Sequence, residues 1–154
     1  MFPIGLVIPI PGIKLGLANI VTIFALFYID IKSALIISIL RCIIAAMLFG
    51  GIYSFLFSLS GALISLFVMS ILMEGYNRYF SIFGISIGGA AAHNIGQIIV
   101  ASVLLKSMAV LPYLSLLLFS SLITGALTGY VSGKLIDHFD KIGISKVIKP
   151  KSFK

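Results

Sequence analysis

The chain is 154 residues long, 60% hydrophobic and 10% charged, with eleven Lys and Arg against four Asp and Glu for a net charge of +7. A mean hydropathy of +1.23 excludes a water-soluble globular domain and predicts an all-α, polytopic membrane bundle. This length leaves room for about five spans of ~20 residues and for no sizeable extramembrane domain.

Residues 1–12 are apolar but carry Pro3, Pro9 and Pro11, a density that predicts an extended or re-entrant lead-in rather than a helix. No basic stretch precedes it, so a signal peptide is not expected. A first span is predicted over 15–29, closed by Asp30-Ile31-Lys32, and a second over 33–49, closed by Gly50-Gly51. The third runs over 55–73 into the polar loop Glu74-Gly75-Tyr76-Asn77-Arg78. A fourth occupies 80–105 and ends at Lys106, and a fifth occupies 111–135 before Asp137-His138-Phe139-Asp140. One membrane domain over 1–136 and a basic tail over 137–154 follow.

Lys134, Lys141, Lys146, Lys149, Lys151 and Lys154 concentrate charge at the C-terminus. Such clustering fits a cytoplasmic tail on a multi-pass cell-membrane protein, and no nucleic-acid partner is expected. The Asp30–Lys32 turn and the loop at 74–78 are then cytoplasmic too, and the Pro-rich start is external. An external start on a five-helix bundle leads to the expectation that a further first helix is missing from this chain.

Small residues recur at every fourth position in two spans, as Gly84, Gly88, Ala92 and Gly96 and as Gly125, Gly129 and Gly133. Each ladder makes a flat surface for close helix approach, either between these two neighbouring spans or against a partner membrane protein.

The main interruption of the apolar sequence is Ala92-His93-Asn94-Ile95-Gly96-Gln97. His93 and Gln97 share a helix face, with Asn94 at its edge. Three polar side chains within five positions are costly in hydrocarbon and point to a ligand or proton site, although a lone intramembrane His is often only a hydrogen-bonded core residue. Arg41 lies about eight residues into the second span with no acid at comparable depth. Either it snorkels to the interface, or its planar fork receives a carboxylate or phosphate from a ligand. Lys14 and Asn19 flank the start of the first span as ordinary interfacial residues, or as part of an external lid with Lys14 reaching an anionic group. The single Cys42 allows no disulfide within the chain. With only His138 besides His93, and no carboxylate inside a span, neither a metal nor a cofactor is expected.

Pro11-Gly12-Ile13-Lys14-Leu15-Gly16-Leu17-Ala18-Asn19-Ile20, Leu40-Arg41, Phe49-Gly50-Gly51 and Ala92-His93-Asn94-Ile95-Gly96-Gln97 together resemble the heptaprenyl diphosphate synthase component I family, also called Gx transporters. The resemblance extends over about residues 9–135. Members look like the six-helix substrate-binding S components of energy-coupling-factor transporters, and usually have a helix before the PGxKLGLAN segment.

The resemblance implies a subunit that takes a small solute from outside into a pocket between helices and works with a membrane coupling subunit and ATPase subunits. The chain has no Walker motif, so ATP hydrolysis must come from elsewhere. The family name implies instead an accessory, lipid-associated component of a prenyl diphosphate synthase. Chain elongation on Mg-bound diphosphates needs clustered aspartates, and Asp30, Asp137 and Asp140 form no DDxxD motif, so a catalytic subunit is not expected. A proton-coupled carrier using His93 is disfavoured by the lack of an intramembrane carboxylate.

Overall fold

The computed structural model describes residues 11–49, 51–76, 78–106, 108 and 111–143, with the side chains of 11–18 and 49 outside that description. The expected lead-in over 1–10, Gly50, Asn77, the tail lysines Lys146, Lys149, Lys151 and Lys154, and the side chain of Lys14 therefore lie outside it. Five helices follow one another: α1 Pro11–Tyr28, α2 Ile31–Phe49, α3 Gly51–Glu74, α4 Ile82–Leu105 and α5 Pro112–Ile142. Among the described residues there is no strand, only an isolated bridge between Tyr76 and Phe80.

Local chemistry sets the boundaries where they differ from the sequence expectations. Pro11 opens α1 instead of closing a lead-in, because the first turn of a helix needs no N–H and the fixed proline φ already suits it. Pro112 opens α5 in the same way. Gly51, with φ +62°, turns the chain in a conformation that costs glycine little, so α3 starts there and not at residue 55. Ser81 caps α4 by accepting from Gly84 N–H at 3.3 Å, which moves that start to Ile82. The fifth helix passes residue 135 without a break and ends at Ile142, where Gly143 takes φ 82°. At 1.5 Å per residue α5 is about 46 Å long, well beyond a ~30 Å hydrocarbon layer. Its Asp137–Lys141 turn therefore projects past the apolar zone as a continuation of the helix.

Four segments, Ile31–Leu48, Gly51–Glu74, Ile82–Leu105 and Pro112–Lys141, are long and apolar enough to cross a membrane, and Asn19–Tyr28 is a shorter apolar helix. No more than 39% of any long segment is buried within the bundle. Side chains such as Met47, Phe67, Val103, Leu116 and Phe119 face outward, which only a hydrocarbon solvent accommodates. The chain is a multi-pass membrane protein.

The helices form a bundle in which each packs on its chain neighbours, and α1 returns to pack on α5 and touches α4 and α3 as well. Ile23, Leu26, Met69, Met73 and Ile85 fill its core. One end, formed by the α1–α2 turn, the α3–α4 loop and the end of α5, is closed by aromatic rings. Phe24 meets Phe139 at 5.1 Å between centroids and Phe27 meets Tyr76 edge-on at 5.4 Å. Tyr28 Oη donates to Asp140 Oδ1 at 3.0 Å and lies 3.3 Å from the Ile136 carbonyl. In the loop, burial and then the Asp137 and Asp140 carboxylates hold the Tyr76 phenol above its ordinary value, keeping it neutral. Tyr28→Phe, which removes the polar link from α1 to α5 and leaves the rings, is expected to cost about 1 kcal/mol, seen as a lower midpoint of thermal unfolding in detergent.

The two small-residue ladders do not meet each other. A Cβ on Gly88 would fall 2.6 Å from Leu72 Cδ1, and one on Gly96 2.9 Å from the Ser60 carbonyl, so this ladder admits α3. The α5 ladder packs on a separate stripe of α4, with a Cβ on Gly125 falling 2.7 Å from Ile87 Cα and one on Gly129 2.9 Å from Phe83 Cα. Ala92 is buried, Gly84 has only its own N-terminal turn nearby, and Gly133 faces open space. Helix α4 thus presents two close-packing faces, which four-residue spacing alone does not separate.

Candidate functional site

His93 and Asn94 lie at the middle of α4, buried to 3% and 2% exposure. Consecutive helical residues point about 100° apart, and these two diverge accordingly. The His93 ring sits against Gly61 of α3, where even a methyl group would lie 2.8 Å from Nε2. Asn94 turns to α5 and donates from Nδ2 to the Leu117 carbonyl at 2.8 Å. Its amide nitrogen thus serves packing, whereas Asn94 Oδ1 and His93 Nδ1 are buried with no partner among the described residues. Gln97, one turn further along, is half-buried.

Two further polar groups come from α1 and α2. Thr22 Oγ1 and Ser38 Oγ approach to 3.4 Å and set the antiparallel register of these helices. One turn further, Asn19 stands level with Arg41. Asn19 is 3% exposed, and its Nδ2 has no partner among the described residues. Arg41 is half-buried, ten residues into α2, and His93 lies eleven residues into α4, which starts at the same end of the bundle. The chain's four acids, Asp30, Glu74, Asp137 and Asp140, all stand at the aromatic end of the bundle. Arg41 is ten residues into α2, about 15 Å from that end, so none of them neutralises it.

Arg41, Asn19 and His93 therefore stand at about one level on three helices, with Arg41 and Asn19 Nδ2 as donors, while Asn94 stands on the adjoining face. Lys14 belongs to the first turn of α1, with its side chain outside the description. Among the described residues the hydroxyls of Ser65, Ser86 and Ser132 are also buried without a partner. These differ in kind. Ser70 and Thr128 hydrogen-bond the carbonyl four residues back, an option that a rotamer change gives any helical serine and that an acceptor such as Asn94 Oδ1 lacks.

Sequence reasoning passed over Gly61 and Ser60, the α3 half of the site's support. Ser60 Oγ lies 3.2 Å from the Gly96 carbonyl and Gly61 makes room for the His93 ring. The signal was present as Gly61, Ser65, Met69 and Met73, a buried stripe at every fourth position that is hidden in a uniformly apolar helix.

Among the described residues no group of His, Cys, Asp and Glu is placed to hold a metal. A family model described as heptaprenyl diphosphate synthase component I matches residues 2–135. No curated protein and no solved structure matches the chain.

Proposed function

We propose that this chain, which belongs to the heptaprenyl diphosphate synthase component I family, is a solute-binding membrane subunit resembling the S components of energy-coupling-factor transporters. It takes a small anionic ligand at Arg41, Asn19 and His93, with Asn94 and Gln97 completing the polar surface. Lys14 is assigned to the mouth of the site. The observation that carries this is the set of buried polar atoms left without partners, Asn19 Nδ2, His93 Nδ1 and Asn94 Oδ1, beside an arginine with no acid at its depth. Each such atom costs about 1–3 kcal/mol, and a mid-membrane cation adds to that. A ligand with a compact acceptor group would satisfy Arg41 and Asn19 Nδ2, while Asn94 Oδ1, itself an acceptor, calls for a donor on the same ligand.

The bundle accounts for binding and not for power. The four acids at one end offer no aspartate-rich magnesium site, and no Walker motif occurs in the sequence. Membrane coupling and ATPase subunits supply the energy in this reading, with the basic tail on their cytoplasmic side. The matched family's description favours a second reading, in which the chain is a non-catalytic membrane partner of a prenyl diphosphate synthase.

Mass spectrometry of proteins that co-purify with the full chain from native membranes in mild detergent separates the two. Two ATPase subunits with a membrane coupling subunit are the expected result. Recovery of a soluble, aspartate-rich prenyltransferase in their place would reject the transporter reading. Within the site, His93→Ala and Gln97→Ala are expected to lose binding of the co-purified ligand while the bundle stays folded; unchanged affinity in either purified variant would remove that residue from the site.

A further inference from the structure

At the aromatic end of the bundle a groove of about 350 Å³ opens between the start of α4 and the far half of α5. Phe83 and Ser81 stand on its α4 side, and Tyr130, Lys134 and Asp137 on its α5 side. Its two walls differ in depth. Gly129 brings α5 against the Phe83 backbone, whereas one turn further out nothing lies within 4 Å of a carbon added to Gly133, so the groove widens toward the membrane surface.

The charges are ordered along this groove. Lys134 and Asp137 are three residues apart on α5 and both exposed, yet no ion pair joins them among the described residues. Helical side chains lean toward the helix N-terminus, and the Lys134 ammonium accordingly stands 5.9 Å from the centre of the Tyr130 ring, one turn deeper. Asp137 begins the turn that projects past the apolar zone. From the hydrocarbon outward the groove therefore presents Phe83 and Tyr130, then a cation, then an anion.

Lipid covers an outward face at this depth, and the order of charges selects among headgroups. A phospholipid has the same sequence of parts: acyl chains, then phosphate, then the terminal group. A purely anionic headgroup would satisfy Lys134 and be repelled by Asp137. A choline headgroup carries the right charges but has no N–H to donate to a carboxylate, whereas a primary ammonium has three. We propose that this groove binds a zwitterionic phospholipid with a primary ammonium, its phosphate on Lys134, its ammonium on Asp137 and its acyl chains running inward past Phe83 and Tyr130. A lipid held there anchors the end of α5 at interface depth, where such contacts set a helix's tilt.

Native mass spectrometry of the full-length protein in detergent, titrated with phospholipids of identical acyl chains and ethanolamine, glycerol or choline headgroups, tests this. The first ethanolamine lipid is expected to bind about 5-fold more tightly than the other two, the scale of one solvent-accessible charge pair. Asp137→Asn should abolish the preference for ethanolamine over glycerol, and Lys134→Gln should weaken the first binding of all three. Both positions are exposed, so an unchanged thermal midpoint in each variant shows that the fold is kept. Equal affinity for the three lipids in the parent protein overturns the headgroup assignment. An ethanolamine preference that survives both substitutions overturns the groove as the site. Displacement of the lipid by an equal concentration of soluble phosphoethanolamine overturns the role of the acyl chains.

Discussion

Gly61→Ala is expected to lower the thermal midpoint of the bundle by about 5 °C or more and to weaken ligand binding with it. A Cβ at this position would fall 2.8 Å from both Nε2 and the backbone oxygen of His93, and 2.9 Å from Cδ2. The ring can rotate; the carbonyl belongs to α4 and cannot. Helices α3 and α4 must therefore separate at their crossing, which also holds Gly96 against Ser60. Overpacking of this kind costs about 1–3 kcal/mol, more than the ~1 kcal/mol that alanine returns through helix propensity. A net loss of 1–2 kcal/mol corresponds to several degrees for a chain of this size. Cys42, buried and free, provides the readout, since a thiol-reactive dye reports its exposure as the protein unfolds. Gly133→Ala is the matched control, because nothing lies within 4 Å of its added carbon and the same dye should show a neutral or slightly raised midpoint. A Gly61→Ala protein as stable as the parent, with unchanged ligand affinity, would mean that the crossing does not hold His93.

Arg41→Met should move stability and function in opposite directions. An arginine at mid-span costs about 2.5–3.5 kcal/mol on insertion scales, and no acid at its depth offsets that cost. Methionine keeps much of the side chain's length and apolar contact without the charge. The unliganded variant is therefore expected to unfold about 2 kcal/mol later in the same dye assay, with ligand affinity down about 10-fold to 100-fold. Snorkelling makes the contrary forecast: an arginine already solvated at the interface carries little penalty, so replacing it would change neither stability nor binding. A gain in stability together with a loss of affinity would mark Arg41 as serving binding rather than the fold.

Five apolar segments, their order, and the all-α architecture were legible in the sequence because hydrocarbon leaves a spanning chain few alternatives to helices. The same economy exposed Arg41, His93 and Asn94, each too expensive in lipid to pass unnoticed. What the sequence left undecided was direction. His93 and Asn94 are neighbours in the chain, yet one is received by α3 and the other by α5. The two glycine ladders share a period, yet they serve different contacts. Asn19 reaches the level of Arg41 only through the register set by Thr22 and Ser38. In a water-soluble helix the polar face tells which side looks inward; in a span apolar all round that signal is absent, since lipid and core demand the same side chains. Composition and period alone determined that the chain crosses a membrane as helices and carries uncompensated polar groups there. Only the tertiary structure decided which of those groups meet, because that follows from the rotation and register of each helix, which close contacts at Gly61, Gly96 and Gly125 set and hydropathy does not encode.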